Sequence, residues 1–243
     1  MKYRFETETR NYEDFASGRV LYNRPGATAF PVRLGSEIIQ RCLARIRERH
    51  GECRLTLYDP CCGGAYLLTT IGLLHGQEFS KIYASDIDEA MVELAKDNLS
   101  LLTHAGMVKR IAQIQRDVQL YNKESHKEAL ISALRLQSLV DKITHLSFEC
   151  MRLDTLRTPL DTVLEPHSID IVITDVPYGG TVQWSEEMAD PIGVLLRNLR
   201  CILSDKAVVA VISDKKQKTE LQGYQRVERF KVGKRSILIL EPN

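Results

Sequence analysis

The sequence predicts an α/β fold, doubly wound, in which helices cover both faces of a mostly parallel, seven-stranded sheet. After Gly51, short apolar runs alternate with segments of helical periodicity, a pattern typical of parallel strands joined by helices. Near the C-terminus, two apolar runs flank Val232-Gly233-Lys234, and this short separation indicates an antiparallel hairpin. We therefore expect a parallel sheet with a C-terminal antiparallel hairpin.

The elements are expected in a regular order along the chain. The first helix starts near Ser36, which can cap it, and ends at Gly51. Asp88 is expected to cap the helix that follows the second strand. The strands are expected at 55–59, 81–86, 147–153, 169–174, 207–213, 225–231 and 235–241, and the later helices at 66–75, 88–100 and 187–203.

One domain is expected over residues 1–243, with two additions to the alternating pattern. Residues 1–51 form an N-terminal extension and the first helix. Residues 104–145 interrupt the alternation, and the apolar spacing from Ala129 to Val140 indicates a helix. A stretch of this length between two strands favours a helical insertion over a loop.

Composition limits the classes of protein that fit. No apolar stretch reaches the length of a membrane span, and the N-terminus lacks the apolar core of a signal peptide. We therefore expect a cytoplasmic protein without a membrane partner. A monomer is a separate expectation. Six cysteines without a paired C-x-x-C spacing predict reduced thiols and neither a disulfide framework nor a metal site. The net charge is only +1, so a polyanionic partner would have to meet a local basic patch.

The run Asp59-Pro60-Cys61-Cys62-Gly63-Gly64-Ala65 predicts a ligand-binding turn after the first strand. Small residues let the backbone approach a ligand closely, and open α/β sheets bind ligands at this edge. The run lacks the G-x-G-x-x-G pattern of nicotinamide enzymes, which disfavours a pyrophosphate clamp. An acid directly at the strand end instead suits a ligand that carries an amino group, as S-adenosylmethionine does.

Acidic residues follow three strands in succession. Asp59 would lie near the amino acid end of S-adenosylmethionine, and Asp86 can accept hydrogen bonds from both ribose hydroxyls. Asp154 can accept a hydrogen bond from the adenine amine. Each acid taken singly is also explained as a loop or cap residue, but together they predict a cofactor site. Its candidate residues are Asp59, Cys61, Gly63, Gly64, Asp86 and Asp154.

Two further features border that site. Cys61 and Cys62 are expected to pack the tight turn rather than act as nucleophiles. Arg33 precedes the first predicted helix and could pair with the cofactor carboxylate or position the N-terminal segment.

The run Asp175-Val176-Pro177-Tyr178 follows the apolar strand 169–174 and predicts a site for a planar amine. Methyltransferases place an acid or amide and then a Pro-aromatic pair at this position. Asp175 can accept hydrogen bonds from the amine and Tyr178 can stack on its ring, so Asp175, Pro177 and Tyr178 are the candidate catalytic residues. Taken alone, the run is equally explained as a buried strand that ends in a turn.

Aspartate rather than asparagine at position 175 favours guanine as the target base. Guanine presents N1–H and N2–H side by side, which one carboxylate can accept, whereas adenine presents a donor beside an acceptor and matches an amide. A carboxylate could also take the proton lost on methylation. Tyr178 stands where a carbon methyltransferase would need a cysteine, which disfavours a covalent mechanism.

Substrate contacts are expected from one aromatic and several basic residues. Trp184, the only tryptophan, could sandwich the base, or it could pack on its own domain. Lys109 and Arg110 in the insertion and Lys215 after the fifth strand are candidates for contact with RNA phosphates.

Several of these segments together resemble the avilamycin-resistance guanine methyltransferases of 23S ribosomal RNA. The resemblance runs from about residue 12 to about 240 and includes the insertion. It implies a Rossmann-like methyltransferase that uses S-adenosylmethionine, with Asp59, Gly63 and Asp86 at the cofactor. It does not by itself imply drug resistance. The segments are Phe30-Pro31-Val32-Arg33-Leu34 with Ser36-Glu37-Ile38, Asp59-Pro60-Cys61-Cys62-Gly63, Ala84-Ser85-Asp86-Ile87-Asp88, and Thr174-Asp175-Val176-Pro177-Tyr178-Gly179 followed by Trp184.

The glycine turn departs from the family pattern. The family turn continues Gly-Ser-Gly, whereas this chain has Gly63-Gly64-Ala65. An alanine suits the turn if its φ is negative. Two alternatives stay open: methylation of another amine, in adenine or in a protein glutamine, against which Asp175 weighs, and a module that binds S-adenosylmethionine without catalysis.

Overall fold

The computed structural model describes residues 3–177, 189–214 and 219–243. A short 3-10 helix at Glu13–Phe15 precedes the regular elements. Along the chain these are α1 (Val32–His50), β1 (Leu55–Asp59), α2 (Tyr66–His75), β2 (Phe79–Asp86), α3 (Glu89–Ser100), α4 (His104–Tyr121), α5 (Glu124–Val140), β3 (Ser147–Arg152), β4 (Ile169–Asp175), α6 (Pro191–Leu199), β5 (Leu203–Asp214), β6 (Tyr224–Val232) and β7 (Arg235–Pro242).

The seven strands form one sheet in the order β3-β2-β1-β4-β5-β7-β6. Pairing is parallel from β3 to β5, and antiparallel where β7 joins β5 and β6. Buried side chains of α1, α2, α4 and α5 pack on one face, and those of α6 pack on the other. The predicted α/β, doubly wound sheet with a C-terminal hairpin is therefore confirmed.

Three of the expected helices differ in detail. The first begins at Val32 rather than near Ser36, so the prediction that Ser36 caps it is wrong. Pro31 occupies the N-cap, and the Ser36 hydroxyl, buried within the helix, donates to Glu6 Oε1 at 2.5 Å. Residues 104–145 hold two helices instead of one. The helix expected at 187–203 ends at Leu199, because Leu203 already belongs to β5.

The N-terminal segment is fastened to α1 by a buried carboxylate. Glu37 is fully buried and accepts the backbone N–H groups of Arg4, Phe5 and Glu6 at 2.7, 2.9 and 2.9 Å. Burial alone would raise the pKa of Glu37, but these N–H donors and Arg41 lower it overall. The ionised Glu37 therefore fixes where the chain runs before it enters α1.

Within residues 3–177, 189–214 and 219–243, no helix combines the length and the apolar character that a bilayer crossing requires.

The register of the strands brings the predicted acids together. Side chains alternate between the two faces of a strand. Leu57 and Ile173 belong to the core on the α1 face, and Asp59 and Asp175 lie two positions further along the same strands. By the same alternation Asp86 follows Ala84, which is also in that core. Three acids from β1, β2 and β4 thus lie on one face at the carboxyl edge of the sheet.

Candidate active site

The turn between β1 and α2 is fastened to the end of β2. Gly63 adopts a φ of +51°, and its N–H donates to Asp86 Oδ2 at 2.8 Å. The N–H of Cys62 donates to the Ser85 carbonyl oxygen at 2.9 Å. These bonds place the backbone of the turn beside the Asp86 carboxylate, as the predicted cofactor site requires.

Ala65 ends this turn in the left-handed region, with a φ of +54°. The condition under which an alanine would suit the turn, a negative φ, is therefore not met. An L-residue pays about 1 to 2 kcal/mol for this conformation. Hydrogen bonds from the Thr69 N–H and hydroxyl to the Ala65 carbonyl, at 2.9 and 2.8 Å, hold it in place, and its methyl group is fully buried.

Gly64 packs directly against α3, and this contact gives a testable prediction. A Cβ at Gly64 would lie 2.5 Å from Leu94 Cδ2 and 2.9 Å from Leu94 Cγ. We expect Gly64→Ala to lower the free energy of unfolding by about 1 to 3 kcal/mol, as urea denaturation would measure. The double variant Gly64→Ala/Leu94→Ala should lose less stability than the sum of the losses in the two single variants. Strictly additive losses would show that the contact does not limit the turn.

Asn98 joins the turn to the N-terminal segment. Its amide is buried; Nδ2 donates to the Gly64 carbonyl at 2.9 Å and to the Tyr22 carbonyl at 3.1 Å. Its Oδ1 accepts the Tyr22 N–H at 2.8 Å. The N-terminal extension thus supports the predicted cofactor turn, a role for Asn98 that no motif in the sequence indicated.

Asp59 is the most deeply buried acid of the site, with 2% of its surface exposed. Its Oδ1 accepts the Cys61 N–H at 3.0 Å. Burial raises the pKa of Asp59 to about 7, and the nearby charges of Asp86 and Asp175 act in the same direction. This carboxyl group therefore changes charge near neutral pH and responds to a cation placed beside it.

The other acids keep local hydrogen bonds as well. Burial raises the pKa of Asp86, although the N–H groups of Asp88 and Gly63 oppose the shift. Asp88 caps α3 by accepting the Ala90 N–H at 2.8 Å, as predicted. Asp154 follows β3, where its Oδ1 accepts the Leu156 N–H at 3.1 Å. The cofactor roles of Asp86 and Asp154 stay predictions.

The thiols beside Asp59 are protonated. Burial raises the pKa of Cys61 and of Cys62 well above the ordinary value, and the charges of Asp59 and Asp86 add to the shift. A thiol without thiolate character is a poor nucleophile, which agrees with the expected packing role.

Asp175 ends β4, half-buried, beside a cation that no motif in the sequence indicates. Its Oδ2 lies 3.8 Å from Nε of Arg235, the first residue of β7. Pro177 follows as the last described residue before a gap. Tyr178, Trp184 and Lys215, predicted to contact the substrate, lie outside the described residues.

Two of the predicted basic contacts face the protein itself. The Arg33 guanidinium donates to the Glu6 carbonyl at 3.2 and 2.7 Å and lies 4.3 Å from the centre of the Tyr3 ring. It positions the N-terminal segment, one of the two expected roles, and its contact with a cofactor stays a prediction. Arg110 donates to the Val20 carbonyl at 2.8 Å.

Arg110 also stacks on a ring, since its guanidinium lies 4.4 Å from the centre of Tyr22. Burial lowers the pKa of Arg110, and its bonds hold the N-terminal segment against α4. Lys109, next to it, is exposed. Of the two insertion residues, Lys109 is therefore better placed for an RNA phosphate.

Among the described residues, no group of three or more histidines, cysteines, aspartates or glutamates is arranged to hold a metal ion.

Comparison with known proteins identifies the family of the chain. Residues 1–235 match the family described as rRNA methyltransferase AviRa. The chain is 39% identical over 241 residues to the 23S rRNA (guanine(2535)-N(1))-methyltransferase of Streptomyces viridochromogenes, covering 98% of this chain and 95% of that protein. A 1.5 Å structure of the rRNA methyltransferase AviRa from that organism superposes with a TM-score of 0.88 at 37% identity, covering 99% and 96% of the two chains.

A more distant structure shows the breadth of the fold. A class I S-adenosylmethionine-dependent methyltransferase from Listeria monocytogenes, itself assigned only by inference, superposes with a TM-score of 0.52 at 15% identity, covering 91% of this chain and 62% of that one. This likeness concerns the fold alone. The full-length match and the shared architecture lead to one conclusion: the chain belongs to the AviRa family of ribosomal RNA methyltransferases.

Proposed function

We propose that this protein transfers a methyl group from S-adenosylmethionine to N1 of a guanine base in 23S ribosomal RNA. The observation that carries the proposal is the Asp175 carboxylate at the carboxyl edge of β4, on the same face as Asp59 and Asp86. The relative that is 39% identical bears the name of a guanine N1 methyltransferase of 23S rRNA, which supports the choice of base and atom.

The residues at this edge fit S-adenosylmethionine. Among the described residues, no heavy atom beyond Gly63 and its two chain neighbours lies within 4 Å of where a Cβ would stand on Gly63. A ligand can therefore approach the turn closely. Asp59 suits the amino group of the ligand because its buried carboxyl group gains by pairing with a cation. Asp86 would accept the ribose hydroxyls and Asp154 the adenine amine.

Asp175 has two tasks in this mechanism. It accepts the N1–H and N2–H groups of guanine and thereby holds the base plane. It then takes the N1 proton as the N1–carbon bond forms and the carbon–sulfur bond of the donor breaks, leaving a neutral thioether. Bound S-adenosylmethionine supplies the electrophilic methyl group. An ionised Asp175 is required for both tasks, since a protonated carboxyl group could neither accept two donors nor remove a proton.

The RNA must present the guanine in an accessible form. N1 takes part in base pairing, so the target is unpaired or turned out of its helix. Exposed Lys109, together with Lys215 and Trp184, is proposed to contact the RNA around the base. A ribosomal substrate also places the protein where ribosomes are assembled, which we expect to be the cytoplasm.

A substitution in the RNA tests the proposal and the atom together. The protein is incubated with methyl-labelled S-adenosylmethionine and with ribosomal RNA from cells that lack the protein. The labelled nucleotide is then located by mass spectrometry. We expect label on one guanine, and we expect transfer to persist when inosine, which lacks the 2-amino group, replaces that guanine. Label on N2 of the guanine would point to that atom instead, and label on adenine or on protein would overturn the proposed base.

A further inference from the structure

Arg235 lies on the same face of the sheet as Asp175, although 60 positions separate the two in the chain. In the β5–β7 pairing Asp214 stands opposite Arg235 and Ile212 opposite Ile237. Ile212 also stands opposite Asp175 in the β4–β5 pairing. Because paired residues project on the same side, Arg235, Asp214 and Asp175 share the α1 face at the carboxyl edge. The sheet order, with β7 beside β5, creates this proximity.

The guanidinium of Arg235 is held from two sides. Its Cζ lies 5.0 Å from the centre of the Phe30 ring, and its Nε lies 3.8 Å from Asp175 Oδ2. Phe30 is buried and belongs to the core, so the ring is a fixed platform. Arg235 itself is only 25% exposed on its side chain. A planar cation between a fixed ring and a carboxylate has little freedom to move away.

Among the described residues, two further acids lie near Asp175 on this face. Asp59 from β1 is close enough that the charge of Asp175 helps to raise the pKa of Asp59. Asp214 from β5 lies opposite Arg235, and the segment before α1 contributes the apolar Phe30. Several carboxylates at one edge favour protonation of one another. A cation held against Asp175 counters that effect where the mechanism needs a negative charge.

We propose that Arg235 is a positioning residue for methyl transfer, which keeps the Asp175 carboxylate ionised and aimed at the guanine edge. The inference rests on the proposed role of Asp175. Arginine suits this position because it stays charged throughout the working pH range and its flat group can stack on Phe30 while it faces the acid.

The test compares the pH dependence of kcat for the wild type, Arg235→Met and Arg235→Lys from about pH 5 to about pH 9. Methionine keeps the length and the contact with Phe30 but removes the charge. We expect Arg235→Met to lower kcat at neutral pH at least about tenfold. The acidic limb of the pH profile, where kcat falls as pH decreases, should move to higher pH by about one unit. The KM for S-adenosylmethionine should stay within about twofold, and Arg235→Lys should return the limb most of the way.

Arg229 offers a matched control. It is exposed on β6 and pairs with Leu238, so it projects on the face opposite to Arg235. Arg229→Met should match the wild type in kcat and in limb position. Arg235→Gln serves as a second neutral variant in case Arg235→Met folds poorly, and it should show the same displacement. A uniform fall in kcat at every pH, or neutral variants that behave like Arg229→Met, would overturn the inference.

Asp175→Asn separates this inference from the function on which it rests. An inactive Asp175→Asn with unaffected Arg235 variants would remove the role of Arg235 and leave the role of Asp175 intact. A fully active Asp175→Asn, or a wild type that modifies no guanine of 23S rRNA, would remove both.

Discussion

Asp175→Ala protein is expected to methylate 23S ribosomal RNA at least about 1000-fold more slowly than the wild type while binding S-adenosylmethionine unchanged. The variant loses the acceptor that orients the guanine and the base that takes its N1 proton. A positioned general base alone contributes about a hundred- to ten-thousandfold. Single-turnover transfer at saturating donor measures the chemical step, and calorimetric titration measures donor affinity.

Two variants sharpen that expectation. Asp175→Asn keeps the shape of the side chain but cannot take a proton, so we expect a loss close to that of Asp175→Ala. Asp161→Ala removes an exposed acid from the short 3-10 helix Leu160–Thr162 and should act like the wild type. Transfer by Asp175→Ala within about tenfold of the wild type would mean that another group accepts the proton.

Local patterns were sufficient for the acidic edge of the sheet. Asp59, Asp86 and Asp175 each end a strand, and strand alternation places a strand-end acid on a definite face. All seven expected strands are present in the sheet. Each corresponds to a short apolar run bounded by turn residues, a local pattern that favours a buried strand. The family resemblance added the methyltransferase activity, and the match of residues 1–235 confirmed the family.

What the patterns missed depends on contacts between distant segments. Arg235 reaches Asp175 only because β7 inserts beside β5, and no local signal encodes that neighbour. Ser36 was expected to cap the helix, but its hydroxyl donates a hydrogen bond to Glu6, thirty positions earlier in the chain. The helix itself begins at Val32. The positive φ of Ala65 likewise follows from how its turn is held by α2 and α3, not from its own preference.

Asp59→Asn is expected to weaken S-adenosylmethionine binding about a hundredfold at about pH 8 and to stabilise the cofactor-free protein. The pKa of Asp59 is raised by burial from its ordinary value of 3.8 to about 7. The folded protein therefore keeps a proton that the unfolded chain releases, and the wild type loses stability as pH rises between these two values. Asparagine cannot ionise and avoids that loss.

The difference in free energy of unfolding should therefore depend on pH in a definite way. It should be near zero at about pH 4 and grow to a few kcal/mol above about pH 7, as urea denaturation of the cofactor-free proteins would measure. Leu57, Ile171 and the rest of the core are unchanged, so a difference independent of pH would contradict the assignment of this carboxyl group.

Binding of S-adenosylmethionine gives a second, independent measure of the ionisation of Asp59. A cationic ligand beside Asp59 favours its ionised form, so binding near neutral pH must release a proton to the buffer. The calorimetric heat of binding should then vary with the ionisation enthalpy of the buffer for the wild type and not for Asp59→Asn. A wild-type heat of binding that is the same in every buffer would mean that Asp59 does not pair with the amino group of the ligand. If Asp59→Asn gains stability and also loses proton release on binding, both results have one cause. The chain then keeps a destabilising acid at this position because the cationic S-adenosylmethionine pairs with it.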